Sequence, residues 1–542
     1  MMQVYDRVLP TGGKLTLVWI TVIVALAVAT LSALEAVRAR LLARVSSHLD
    51  RMLAGAVLDR VLSRRAQPGG LAQSQQFMRE FDTLRSALSG PAATSLLDLP
   101  WTPIFLLVAV LIHPLLGLLV AAASVLMIAL ALRQSRRSRA LEAEARAANL
   151  QAYASQDATL RRAEAVRALG MRDAIITRHL QDRASGVAAG MTLQESAESY
   201  NGLTRFWRIF LQSLALGLGA WLAIGGEISA GAIIAASVLL ARALQPVEQL
   251  ARSWPQVVQA RQALAALAEL FASSPGEATV RTSLPAPQGK LTVRKLTLRS
   301  PDQTALVLRN VGFALDPGSI CCIVGPSGAG KTTLARTLAG AVAPDLGEIR
   351  IDGASIRDWP ADRLAPHIGY LPQEPSLLPG TIADNISRFQ TALAQDRGAL
   401  DAGIVAAAKA AGVHDMVLAL AQGYDTAIET GGHHLSAGQA QRIALARALF
   451  GEPVLLILDE PDAALDSDGE AALQTALAEA RGRGATILVV THRPAILSIA
   501  TRILVVRDGE VAHFGPSEEV LATLRAAAET ARVVPIKREA AE

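Results

Sequence analysis

Ile320-Cys321-Cys322-Ile323-Val324-Gly325-Pro326-Ser327-Gly328-Ala329-Gly330-Lys331-Thr332-Thr333 is a short apolar run, a glycine-rich loop and the start of a helical run. The loop fits G-x-x-x-x-G-K-[ST], with the strand before it and the helix after it that such a loop requires. Its glycines let backbone N–H groups converge on phosphate oxygens at a helix N-terminus. Lys331 supplies a point charge to the β- and γ-phosphates, and the Thr332 hydroxyl suits Mg²⁺. Residues Gly325 to Thr333 are therefore the expected nucleotide-binding segment. Cys321 and Cys322 are the only cysteines of the chain, and they fall in the strand. That position suits core packing and leaves no disulfide framework or zinc spacing.

Further along, Leu455-Leu456-Ile457-Leu458-Asp459-Glu460 is a second apolar strand ending in two carboxylates. Asp459 stands where a carboxylate would hold Mg²⁺ through water. Glu460 can take a proton from an attacking water, although a solvated strand end would look the same. In Leu435-Ser436-Ala437-Gly438-Gln439, Ser436 is suited to cap a helix beginning near Gln439, whose N-terminus favours an anion. Val454–Leu458 and Thr486–Val490 read as buried parallel strands, and Leu291–Leu298 and Ala305–Leu315 alternate as antiparallel ones. Asp508-Gly509 reads as a hairpin turn.

With its Leu-Ser-Ala-Gly-Gln segment, the sequence resembles the ATP-binding cassette (ABC) transporters, whose signature usually has Gly where Ala437 stands. The resemblance implies that Ser436, Gly438 and Gln439 cap the nucleotide of the opposite subunit. It matches Gln373 to the family's Q-loop, a further Mg²⁺ and catalytic position. It matches His492, in Val490-Thr491-His492-Arg493, to the switch histidine, and Asp466, in Ala464-Leu465-Asp466, to the D-loop. A lone histidine after a strand is more often structural; the order of five motifs argues otherwise here. Two departures stand out. No aromatic for adenine stacking lies near Ser300, and Thr430 stands where many exporters have Glu, with Glu429 one position early. His433-His434 reads either as a metal pair or, more commonly for adjacent loop histidines, as inert.

The resemblance extends to the first half. Gln3-Val4-Tyr5-Asp6-Arg7-Val8-Leu9-Pro10, Phe81-Asp82-Thr83-Leu84-Arg85 and Asp98-Leu99-Pro100-Trp101 are similar to exporters of type I protein secretion systems. The composition agrees. Of 542 residues, 51% are hydrophobic and only 18% charged, which excludes a disordered chain and points away from a wholly soluble one. A net charge of +4 is too mild to argue for nucleic acid.

Five apolar stretches are long enough to cross a bilayer, at 15–34, 92–112, 114–132, 206–225 and 228–244. The His113-Pro114 pair divides the second from the third. Arg208 and Arg242, near span ends, read as snorkelling side chains. Nine arginines in 35–91 and twelve in 133–205 put those loops in the cytoplasm, with the connections at 113–114 and 225–228 outside. The turns near 67–70 and 168–171 are candidates to touch the cassettes.

The expected organisation is an α-helical transmembrane domain (1–272), a linker (273–289), an α/β P-loop ATP-binding cassette (290–530) and a tail (531–542). Five crossings put Met1 opposite the cassette. Residues 1–10 resemble the segment that comes directly after a first membrane helix in the secretion exporters, so a missing first helix is expected. The rivals are a translocated N-terminus or a single kinked span over 92–132.

The resemblance implies an ATP- and Mg²⁺-dependent homodimer in the bacterial inner membrane, multi-pass and lipid-embedded, with its cassette in the cytoplasm. It implies a periplasmic adaptor, an outer-membrane channel and a secreted polypeptide as partners. Export of lipid or small amphiphiles is the alternative. A soluble ABC ATPase acting on DNA or ribosomes is opposed by the spans. A non-hydrolysing regulator is opposed by the intact Lys331, Asp459, Glu460 and His492.

Overall fold

The helices of the first half are, at four of the five apolar stretches, far longer than a bilayer is thick. In the computed structural model, which describes residues 3–65, 71–160, 162–273, 284–300, 304–429 and 435–532, they are α1 (Lys14–Arg65), α2 (Leu71–Ser89), α3 (Pro91–Asp98), α4 (Thr102–Ile112), α5 (Pro114–Leu160), α6 (Arg172–Ile224) and α7 (Ala230–Ser273). At 1.5 Å per residue, the 52 residues of α1 and the 53 of α6 each reach nearly 80 Å, so each runs well past a roughly 30 Å hydrocarbon core. Five helical segments are long and apolar enough to span: Lys14–Leu62, Pro91–Ile112, Pro114–Asn149, Arg172–Ile224 and Ala230–Ala272. The chain divides into a helical unit, Met1–Val61 with Gln75–Ser274, and a second unit, Leu62–Ser74 with Pro275–Glu542.

The breaks between spans have local causes. His113 is extended (φ −162°, ψ 136°) because the residue before a proline is disfavoured in helix, and α5 starts on Pro114. His113 Nε2 and Glu227 Oε2 are 2.8 Å apart, joining the two short connections. The His113 Nδ1 accepts from the Leu115 N–H at 3.2 Å, so in this arrangement Nε2 carries the proton and donates to Glu227. The last span begins at Ala230, two residues beyond the expected 228. There the Asp6 carboxylate accepts from Ser229 Oγ and the Gly231 N–H, both at 2.7 Å, a negative charge at a helix N-terminus. Arg208, expected to snorkel, also has a partner: its guanidinium lies 3.6 Å from the Glu248 carboxylate on α7. The 67–70 turn lies outside the described residues. At 168–171 a short helical turn ends on Ala168 and α6 begins at Arg172.

The second unit holds β1 (Leu291–Arg299), β2 (Leu306–Leu315), β3 (Ile320–Val324), β4 (Leu346–Ile351), β5 (Ala354–Ser355), β6 (Ile368–Leu371), β7 (Gly380–Thr381), β8 (Ala427–Ile428), β9 (Leu455–Asp459), β10 (Thr486–Val490), β11 (Arg502–Arg507) and β12 (Glu510–Pro516). Six of these form one sheet in the order β12-β11-β3-β10-β9-β6. Its members from β11 to β6 pair in parallel, and only the β11–β12 hairpin is antiparallel. Parallel strands are covered on both faces, so β9 and β10 are buried at every position. Each fully buried Leu or Ile there contributes roughly 2 kcal/mol. A separate antiparallel sheet runs β2-β1-β4-β5. Cys321 and Cys322 are free and buried in β3, and burial pushes the Cys322 thiol up to about 12, which suits a packing role.

Candidate functional site

Three parallel strands end side by side, and their ends build the site. β3 delivers the phosphate-binding loop. β10 pairs with both β3 and β9, with Val490 opposite Asp459. The loop needs glycine at its first position: Gly325 has φ 155°, and a Cβ there would sit 2.1 Å from the Val506 carbonyl oxygen. After Pro326, Ser327, Gly328, Ala329 and Gly330, the helix α8 (Lys331–Leu338) begins, with Thr332 and Thr333 in its first turn. Lys331 is only 7% exposed, and its Nζ donates to the Gly325 and Pro326 carbonyls at 2.7 and 2.9 Å. Its charge is thereby held over the concave side of the loop that a phosphate would fill.

Asp459, at the end of β9, is fully buried, and neither carboxylate oxygen has a hydrogen-bond partner among the described residues. Burial pushes its carboxyl above the ordinary range. The nearby Thr332 hydroxyl favours the charged form without making a bond of normal geometry. The Glu460 charge adds to the rise, and Lys331 and Arg336 oppose it.

Glu460 follows with a left-handed backbone (φ 49°), an uncommon conformation for a residue with a side chain. Two contacts fix it there: its N–H donates to the Val490 carbonyl at 2.9 Å, and the Glu460 carbonyl accepts from Gln441 Nε2 at 3.2 Å. Gln373, two residues beyond β6, spans the site. Its Nε2 donates to Glu460 Oε2 at 3.0 Å, and its Oε1 accepts from the Thr332 hydroxyl at 3.4 Å. Thr332, Gln373, Asp459 and Glu460 thus converge beside the loop. A hydroxyl, an amide oxygen and a buried carboxylate without partners form an all-oxygen donor set, and this fits Mg²⁺.

A second group forms elsewhere in the unit. Ser436 caps α9 (Ala437–Leu449) in a reciprocal box: Ser436 Oγ accepts from the Gln439 N–H at 3.2 Å, and Gln439 Oε1 accepts from the Ser436 N–H at 2.9 Å. The helix therefore starts at Ala437, two residues before the expected Gln439. Asp466 caps α10 (Ser467–Gly482) and pairs with Arg442 of α9 at 3.2 Å. The short backbone hydrogen bond to Gly469 is the main cause holding the Asp466 carboxyl low. Among the described residues, neither Ser436 nor Gln439 hydrogen-bonds the phosphate-binding loop. Gly438 lies beside the Ala464 carbonyl instead.

His492 stands exposed just past β10. Its neighbour Thr491 is buried, and donates to Asp462 Oδ2 at 2.7 Å. Thr430 and His433-His434 lie outside the described residues.

A family profile described as "ABC transporter" matches residues 308–463, and one described as "ABC transporter transmembrane region" matches residues 2–247. The type I secretion system ATP-binding protein PrsD of Rhizobium meliloti (strain 1021) is 40% identical over 529 residues, covering 96% of this chain and 88% of that one. This chain belongs to the ABC transporter family. The cyclolysin secretion/processing ATP-binding protein CyaB of Bordetella pertussis is 32% identical over 525 residues, covering 96% of this chain and 72% of that one. Among solved structures, a bacterial Atm1-family ABC exporter with ATP bound shares the fold, with a TM-score of 0.82 and 24% identity over 99% of this chain and 95% of that one.

As an ABC transporter the chain is a nucleotide-binding membrane protein and an ATPase coupled to transport. The expected fold class, a helical transmembrane region joined to an α/β cassette, is borne out. Sequence reasoning missed the groups that hold the site's backbone. Gln441 holds the backbone of Glu460 itself, Thr491 beside His492 is tied to Asp462, and a buried polar side chain carries no local pattern that marks its partner.

Proposed function

We propose that this chain energises type I secretion of a polypeptide across the bacterial inner membrane, as a homodimer whose cassettes face the cytoplasm. The reading brings to this chain what the names of its relatives say of them. Its partners are then a periplasmic adaptor, an outer-membrane channel, the secreted polypeptide and membrane lipid.

In this reading the loop Gly325–Thr333 binds the triphosphate of ATP, and Lys331 leaves its own loop carbonyls for the β- and γ-phosphates. Mg²⁺ would be held by Thr332, Gln373 and Asp459, and supplies neutralisation of charge on the transferring phosphoryl group. Gln373 holds the Glu460 carboxylate in place. Glu460 takes the proton of the attacking water, and His492 orients the γ-phosphate from the neighbouring strand end. Ser436, Gly438 and Gln439 of one copy cap the nucleotide held by the other, and Asp466 sets the angle of the helix behind them through Arg442. Two copies closing over ATP and separating after hydrolysis form the two-state element that drives the long helices.

The observation that carries the catalytic part is the Thr332–Gln373–Glu460 hydrogen-bond chain beside the unpartnered carboxylate of Asp459. Glu460→Gln tests it: ATP binding should persist while hydrolysis falls by about 10² or more, the scale of losing a general base. Hydrolysis at the unsubstituted rate would remove Glu460 from that role. The secretion part is tested by co-purification with an adaptor and outer-membrane channel, and by reconstituted transport of a candidate polypeptide.

A further inference from the structure

The helical unit contains a cavity of about 830 Å³ lined by α5, α6 and α7. Four arginines face it: Arg139, Arg205, Arg208 and Arg252. Arg208 is neutralised by Glu248, at 3.6 Å. Arg139, Arg205 and Arg252 form no hydrogen bond and no ion pair within 4 Å among the described residues, while the Arg139 charge reaches Glu142 and the Arg252 charge reaches Glu248. Glu142 and Glu198 also line the cavity, so its wall carries four arginines against two carboxylates. Guanidinium groups exposed on one concave wall can each offer forked donors to a bound anion.

The depth of the cavity narrows the choice of anion. The apolar run of α6 starts at Phe206, so Arg205 stands at the edge of the hydrocarbon. The apolar run of α5 ends at Leu132, about 10 Å along the helix from Arg139, and that of α7 ends at Leu244, about 12 Å from Arg252. An arginine side chain spans several ångströms more. The charged end of the cavity thus lies at the headgroup layer. It is on the side where α7 leaves the membrane and the chain runs on to its ATP-binding domain, hence the cytoplasmic leaflet.

Two further features suit a lipid. Leu203, Phe206 and Phe210 are exposed on α6 next to Arg205, where acyl chains would lie. Trp254, beside Arg252 in the cavity wall, has a buried indole N–H without a partner among the described residues, a donor for a phosphate oxygen.

We propose that this cavity binds the headgroup of an anionic phospholipid from the cytoplasmic leaflet, with Arg205 and Arg252 as the phosphate contacts and Trp254 as a third donor. Basic pockets between transmembrane helices on this side of a membrane recognise such headgroups. The inference goes beyond the secretion reading and holds for any cargo.

The test uses the full-length protein in neutral detergent, delipidated and then offered phosphatidylglycerol or phosphatidylcholine. Bound lipid is counted by native mass spectrometry, with thermal unfolding as a second readout. Phosphatidylglycerol should be retained in preference to phosphatidylcholine. Arg205→Gln with Arg252→Gln should cut that preference by about thirtyfold, the loss of two guanidinium contacts. Arg139→Gln alone should cut it by a smaller factor, which keeps the test valid if the double variant does not fold. Arg294→Gln, on the surface of the second unit, should leave it unchanged. Equal retention of the two lipids, or a preference untouched by the arginine variants, overturns the proposal. So does displacement of phosphatidylglycerol by millimolar inorganic phosphate, which would make this a free-anion site. Displacement by poly-glutamate with no lipid preference would assign the cavity to an acidic polypeptide instead.

Discussion

Replacing Asp459 by Asn should move stability and activity in opposite directions. The Asp459 carboxylate is fully buried, with both oxygens unpartnered among the described residues. A buried polar group left unsatisfied costs about 1–3 kcal/mol, more when charged. The asparagine amide is still polar and still unpartnered, so only the charge-related part is recovered, about 1 kcal/mol at neutral pH. For a cassette of this size that raises Tm by about 2–4 °C. The pH dependence comes from the sign of the shift. Burial raises the folded-state pKa of Asp459 above its ordinary value, so the native state binds this proton more tightly than the unfolded chain. The destabilisation is therefore absent below the unfolded pKa, grows as pH rises through the folded one, and is complete above it. The advantage of Asp459→Asn should be full near neutrality and shrink toward acid. The same substitution removes a carboxylate that would hold Mg²⁺ through water, where changes typically cost about 10–100-fold in metal affinity. The assay pairs thermal unfolding of the full-length protein in EDTA, across a pH series, with an Mg²⁺ titration of ATP hydrolysis. A variant no more stable than the original at neutral pH, or one with an unchanged Mg²⁺ midpoint, would refute the reasoning.

Lys331→Ala should weaken ATP binding, read by nucleotide-induced thermal shift, because the loop loses the one cation it holds at Gly325 and Pro326. Mixing Lys331→Ala subunits with Ser436→Arg subunits should restore about one composite site per verified heterodimer, since a phosphate-binding loop is completed by the signature of the other copy; a mixture no more active than either parent counts against that pairing. Gly369→Ala should destabilise the cassette by about 3 kcal/mol through overpacking, because its Cβ would lie 2.2 Å from the Ala448 carbonyl and 2.6 Å from Leu456 Cδ2. Gly482→Ala, with nothing within 4 Å, is the matched control and should be neutral or slightly stabilising in the same melt.

How much could be read in advance depends on the range of each interaction. The phosphate-binding loop and the strand ending in Asp459-Glu460 are contiguous, and their chemistry is written in neighbouring residues. The reciprocal cap of Ser436 and Gln439 is nearly as local, three residues apart. The contact between Gln373 and Glu460 bridges 87 residues, and only the pairing of β6 with β9 brings it about. Family resemblance pointed to Gln373 and the end of the apolar strand pointed to Glu460, but neither pointed to the hydrogen bond that orders one against the other. Inside the membrane half the limit is sharper. Apolar length and the His113-Pro114 break locate the spans, because a bilayer imposes a length and proline a conformation. Arg208 and Glu248 are 40 positions apart on different helices, and their pairing depends on the rotation of α6 against α7, which no periodicity of a nearly all-apolar helix encodes. A basic residue at a span edge is therefore ambiguous in sequence: Arg208 finds a carboxylate, while Arg205, three residues earlier on the same helix, finds no ion pair among the described residues. The difference between them is what turns a general expectation of snorkelling into a specific anion site.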